Sequence, residues 1–110
     1  MMLIGAKASF CAAHSLPQHI GLHGHSYEVW AYAEGGDAEE LQVRLAAACK
    51  RLDHSVLNER LPVPTMEEIA KLIASEITVR HPHEAVEWRP KKVVVVRPVE
   101  GLSAEYTLEN

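Results

Sequence analysis

The first third of the chain constrains the fold most. Two long stretches there alternate apolar and polar residues, and only a short Pro- and Gly-containing connection separates them. Over residues 2–13, Ile4, Ala6, Ala8 and Phe10 share one face, and Lys7 and Ser9 the other. From about His23 to Glu34, Tyr27, Val29, Ala31 and Ala33 alternate with Glu28, Trp30, Tyr32 and Glu34. A period of two is the pattern of strands with one buried face. The intervening SLPQHIGL reads as a loop. Gly35–Gly36 end the second strand.

The period then changes. Asp37 is the predicted N-cap of a helix that carries Leu41, Leu45, Ala48, Cys49 and Leu52 on one face. A second helix is expected from the capping box Thr65–Met66–Glu67–Glu68, just after Pro64. Its stripe is Ile69, Leu72, Ile73 and Ile77, and it should stop before His81–Pro82. The run Val93–Val96 is apolar on both faces, which predicts a central, doubly covered strand. Ser103–Glu109 alternates once more, with Ala104, Tyr106 and Leu108 inward. The expected order is ββααββ over one α+β domain, residues 1–110, with a four-stranded antiparallel sheet and both helices on one face. Such a sheet leaves its other face and two edges bare. Open edges are usually paired or covered, so a homo-oligomer joined edge to edge is expected.

Composition removes several classes of function. Hydrophobic residues make up 47% and charged residues 24%, the balance of an ordinary globular chain. A net charge of −4 without a basic cluster argues against nucleic acid or an anionic membrane as partner. No apolar run reaches the length of a membrane span, and the start MMLIGAKASF has no basic segment before an apolar core. Cys11 and Cys49 form no disulfide framework. A soluble cytoplasmic protein is the expectation.

The sharpest local feature is His23–Gly24–His25 at the start of the second strand. Residues two apart on a strand point the same way and sit roughly 7 Å apart, close enough for two imidazoles to share a metal ion. His14 ends the preceding strand, and the short return would bring it to the pair. Three neutral imidazoles with an open fourth position describe a catalytic zinc site rather than a closed structural one. The competing reading is three ordinary surface histidines. A cupin also uses a His-x-His strand, but its carboxylate follows at longer spacing than Glu28 does, and its second His motif is absent here.

Phe10–Cys11–Ala12–Ala13–His14 and Leu22–His23–Gly24–His25–Ser26–Tyr27 resemble the F-x-A-A-H and L-H-G-H-[NS]-[YF] signatures of the 6-pyruvoyltetrahydropterin synthase family. That family includes the bacterial 6-carboxytetrahydropterin synthases of queuosine biosynthesis. Leu52–Asp53–His54 followed by Leu57–Asn58 is similar to its L-D-H-x-x-L-N segment, and Pro64–Thr65–Met66–Glu67 to its P-T-x-E helix start. The resemblance implies the tunnelling fold (T-fold), in which trimers close a barrel and two trimers stack. It implies zinc held by His14, His23 and His25, polarising the side-chain oxygens of 7,8-dihydroneopterin triphosphate. It further implies a Cys base activated by an Asp–His pair, here Asp53 and His54, with triphosphate leaving by elimination. The products of the bacterial branch are 6-carboxytetrahydropterin, acetaldehyde and triphosphate.

The sequence departs from this pattern in two places. The family's catalytic Cys lies four residues before the first His of the pair, where this chain has His19. His19 is open to three readings: a base, a fourth zinc ligand, or a loop residue. Cys11 stands an odd number of residues from His14 and should face the other side of the strand, while Cys49 belongs to a helix core stripe. The family's pterin-anchoring Glu maps onto Pro98, with Glu100 two residues later. Glu100 is either that anchor or a turn carboxylate before Gly101. Glu67 is a further carboxylate in a family motif, though the first turn of a helix favours acids in any case. His54 likewise has a plain reading, as a helix C-terminal residue meeting the dipole. An altered or non-catalytic relative that binds zinc and a pterin or purine is the alternative to a lyase.

Overall fold

The computed structural model describes residues 1–80 and 86–108, the side chains of His19, Ile20, Val86 and Glu87 excepted. Strands β1 (Ile4–Leu16) and β2 (His19–Ala33) form a long antiparallel hairpin that pairs Ile4 with Ala33 at one end and His14 with His23 at the other. Helices α1 (Ala38–Leu52) and α2 (Met66–Ile77) follow, with one 3-10 turn, Leu57–Glu59, between them. A short pair, β3 (Val79–Arg80) and β4 (Val86–Trp88), precedes β5 (Lys92–Arg97) and β6 (Leu102–Thr107). The main sheet runs β1-β2-β5-β6, antiparallel throughout.

The alternation in the strands builds the core directly. Phe10, Tyr27, Val29, Ala31, Val93 and Val95 all point inward and are buried. They pack under Leu41, Leu45 and Leu52 of α1 and Ile69, Ile73 and Ile77 of α2, so both helices cover one face. Phe10 and Tyr27 stack with ring centroids 4.8 Å apart. Both predicted helix starts carry their side-chain caps: the Asp37 carboxylate accepts from the Glu39 N–H at 2.8 Å, and Thr65 Oγ1 from the Glu68 N–H at 3.3 Å.

Among the described residues, no helix covers the other face. There Trp30 and Tyr32 stack at 6.1 Å, with the ammonium groups of Lys7 and Lys92 lying 5.8 and 5.1 Å from their ring centroids. Gly5, opposite Tyr32 in the register, makes room for that ring: a Cβ there would lie 2.9 Å from it. Val94 and Val96 are half-buried on this side. The expected double cover of β5 is therefore present on one face only, because the run Val93–Val96 is apolar beyond what one chain buries.

Other differences concern the connections. Residues 15–22, read as a loop, are mostly strand, and only Pro17 and Gln18 make the turn. An irregularity in register between His14 and Leu16 absorbs the mismatch. The β3–β4 pair leaves no mark in the sequence, because its strands are too short to show a period. His81, Pro82 and Glu109 lie outside the described residues.

The segment after α1 straps the outer edge of β1. The Cys11 N–H donates to Asp53 Oδ1 at 2.9 Å, His54 N–H to the Cys11 carbonyl at 2.7 Å, and Ala13 N–H to the Ser55 carbonyl at 2.9 Å. Asn58 completes it: Oδ1 accepts from Ser15 N–H at 2.8 Å, and Nδ2 donates to the Ser15 carbonyl at 2.9 Å. His54 makes the turn in the left-handed region, φ 56°. The buried Leu52 and Leu57 peg the strap to the core. The strap stops at Cys11, leaving the edge from Ile4 to Phe10 uncovered by it.

Candidate metal centre

The inward positions of the hairpin continue past the helices. After Ala12 on β1 comes His14; before Tyr27 on β2 come His25 and His23. The alternation that builds the core therefore also turns these three imidazoles to one side, and the register sets His14 opposite His23. Their ring centroids are 4.6, 4.9 and 4.9 Å apart. One ligating nitrogen from each lies within 4.8 Å of the others. His14 is buried, and the other two are partly so.

Two of the rings are hydrogen-bonded from behind, and the third faces a carboxylate. His14 Nδ1 lies 2.9 Å from the Pro64 carbonyl, just before α2, and His23 Nδ1 lies 2.9 Å from the Gly21 carbonyl. His25 Nδ1 faces Glu100 Oε2 at 3.5 Å. An oxygen at each Nδ1 favours the proton there and leaves the Nε2 lone pair available to a metal. The buried Nε2 of His25 has no hydrogen-bond partner among the described residues. The His25 pKa lies below its ordinary value, mainly through burial, with Arg97, His14 and His23 adding and Glu100 opposing. Its imidazole is therefore held in the neutral, ligating form. Three imidazole nitrogen donors, one of them otherwise unsatisfied, fit a zinc ion with one position left open.

Two clefts meet at His25. One, about 630 Å³, is lined by Cys11, Gly24, Ser26, His54 and Glu100 among others; the second, about 760 Å³, by the three histidines with Gln18, Leu22 and Arg97. His54 thus shares a cleft with His25. Its Nε2 lies 3.4 Å from Asp53 Oδ2, so the adjacent Asp–His pair does meet, although the His54 side chain is 84% exposed. Glu100, in the turn between β5 and β6, points Oε2 at His25 and accepts from Arg97 Nε through Oε1 at 3.2 Å. That hydrogen bond is the main reason its carboxyl sits below its ordinary pKa.

The remaining sequence candidates are placed as follows. Glu67 is exposed in the first turn of α2 and lines neither cleft. The His19 backbone pairs with Leu16, and its side chain lies outside the described residues. Cys11 is exposed, with Sγ 3.5 Å from Ser26 Oγ. Cys49 is buried in α1, and its thiol is pushed up to about 12, chiefly by burial. Sequence reasoning missed Arg97, whose one signal was a charge closing an apolar run. It also missed the carbonyls of Pro64 and Gly21, since a backbone acceptor leaves no residue-type signal.

Comparison with known proteins agrees with this geometry. The model of the 6-pyruvoyl tetrahydropterin synthase family matches residues 3–109. An Archaeoglobus fulgidus protein provisionally named 6-carboxy-5,6,7,8-tetrahydropterin synthase is 37% identical over 87 residues, covering 69% of this chain and 76% of that protein. Among solved structures, the Caenorhabditis elegans 6-pyruvoyl tetrahydropterin synthase superposes with a TM-score of 0.75 at 17% identity, covering 98% of this chain and 96% of that one. An uncharacterised Wolinella succinogenes protein gives 0.68 at 15% identity, covering 98% of each chain. The two structures establish the shared fold, and the family match over nearly the whole sequence establishes the kinship: the chain belongs to the 6-pyruvoyl tetrahydropterin synthase family.

Proposed function

We propose that this chain is a zinc-dependent tetrahydropterin synthase-like lyase, acting on 7,8-dihydroneopterin triphosphate or a related pterin in the cytoplasm. The observation that carries the reading is the convergence of His14, His23 and His25, each with an oxygen facing its Nδ1, in a chain of this family. When bound, zinc would polarise the substrate's side-chain oxygens and acidify the adjoining carbon–hydrogen bonds. Asp53 orients His54 with Nε2 toward the carboxylate, which leaves Nδ1 as the basic nitrogen for moving a proton in the shared cleft. His19, in the place of the family's Cys, is the proposed base. Glu100, which lines that cleft, is the carboxylate offered to the pterin's N–H groups; Glu67 lines neither cleft of the single chain and takes no part in this reading. The uncovered edges and the bare Trp30–Tyr32 face support a homo-oligomer, a trimer or hexamer of the 12.2 kDa chain.

A second reading is favoured by two residues: His19 where the family has its Cys, and Pro98 where it has its anchoring Glu. In that reading the chain binds zinc and a pterin or purine without the elimination. Incubating the zinc-loaded protein with 7,8-dihydroneopterin triphosphate and weighing the pterin products separates the two. Release of triphosphate with a shortened pterin side chain supports the lyase. Bound but unaltered substrate refutes it in favour of the second reading.

A further inference from the structure

Glu100 stands apart from the other groups behind the histidines. His14 and His23 are held by main-chain carbonyls, which are neutral and fixed by the backbone. The group facing His25 is a carboxylate from a different part of the sheet, the β5–β6 turn. That turn is closed by a hydrogen bond from Gly101 N–H to the Arg97 carbonyl at 2.9 Å, with Gly101 at φ 73°, a conformation suited to glycine. Pro98 restricts the backbone within it. Arg97 is mostly buried, 17% exposed at its side chain, and takes the second carboxylate oxygen. Both oxygens of Glu100 are thus directed at protein groups.

We propose that Glu100 is a positioning residue of the metal centre, holding His25 by Nδ1 while Arg97 clamps its other oxygen. This rests on the zinc reading above and adds a role to that site. A carboxylate behind a ligating imidazole fixes the tautomer and strengthens Nε2 as a donor. It also offsets charge, because the Arg97 guanidinium beside His25 opposes a dication in the same cleft. Glu100 answers both demands from one position.

The test is zinc affinity of the whole chain, measured by chelator competition at fixed pH and salt, with the visible spectrum of the cobalt-substituted protein as a second readout. Glu100→Ala should weaken zinc binding by about 10- to 100-fold, the usual effect of removing such a partner. Glu100→Gln, which keeps an acceptor oxygen and loses the charge, should fall in between. Glu105→Gln makes the same change in net charge at an exposed carboxylate on β6 and should leave affinity and cobalt spectrum as they are. The cobalt bands should shift in Glu100→Ala, less in Glu100→Gln, and not in Glu105→Gln. Zinc binding by Glu100→Ala within twofold of the parent overturns the proposal, and so does equal weakening by Glu100→Ala and Glu105→Gln. Unchanged zinc affinity with weakened pterin binding overturns it too, and leaves Glu100 with the pterin role alone. A parent chain that does not bind zinc, or zinc binding that survives His23→Ala, removes the metal centre itself and this role with it.

Discussion

Asn58→Ala tests the strap that ties the turn after α1 to the edge of β1. The Asn58 amide makes two hydrogen bonds to one residue, 2.8 Å from Ser15 N–H and 2.9 Å to the Ser15 carbonyl. A net intramolecular hydrogen bond is worth about 0.5–1.5 kcal/mol. Both ends lie in partly exposed surroundings, where water can replace the lost partners, so the loss should be about 1–2 kcal/mol rather than the upper sum. Asn58→Asp keeps the acceptor and loses the donor, and should forfeit about half of that. Urea unfolding of the metal-free protein at one fixed concentration measures both, with Val43→Ala as a control at a 65% exposed site that should change little. The slope against urea should stay constant while the midpoint falls. A midpoint for Asn58→Ala equal to that of Val43→Ala refutes the strap as a stabilising element.

Leu45→Ala, at a side chain with no exposure in the α1 stripe, should cost about 2–5 kcal/mol in urea unfolding, and a cost below 1 would contradict the packing. A thiol reagent at neutral pH should modify exposed Cys11 in the native protein and spare Cys49 until it unfolds; mass analysis showing equal labelling would contradict their placement. If turnover is found, His19→Ala should reduce it far more than Cys11→Ala, and the reverse order refutes the base assignment. The folded state holds the Cys49 thiol proton up to about 12, against an ordinary value of 9.0. The unfolded chain therefore loses that proton first, so this contribution to stability is complete below about pH 8.5 and is lost as pH rises toward 12. A urea midpoint that stays level from pH 8 to pH 11 would rule this out.

Much of the fold was legible because period and burial coincide. Tyr27, Val29 and Ala31 are inward on β2 as their alternation requires, and Asp37 and Thr65 cap the helices they precede. What escaped was structure without a period. Pro17 and Gly21 punctuate a segment that nevertheless pairs almost to its tip, since one strand tolerates a Gly and Pro17 needs only the turn itself. At the site, His14, His23 and His25 were legible because each stands at an inward position of a strand. Their supports were not: two are carbonyls, and the third comes from a turn distant in sequence. Asp53 illustrates how one residue can answer two demands, because its Oδ1 caps the Cys11 N–H while its Oδ2 meets His54. In the sequence Asn58 is only the end of a family motif; its structural duty emerges from the edge of β1.

X-ray absorption at the zinc edge decides whether His14, His23 and His25 form a metal centre. One zinc per chain is expected, with three imidazole nitrogens at about 2.0–2.1 Å and one further light ligand, and loss of that signature in His14→Ala, His23→Ala and His25→Ala. A spectrum showing sulfur at about 2.3 Å, or an unaltered site in any of the three variants, would contradict it.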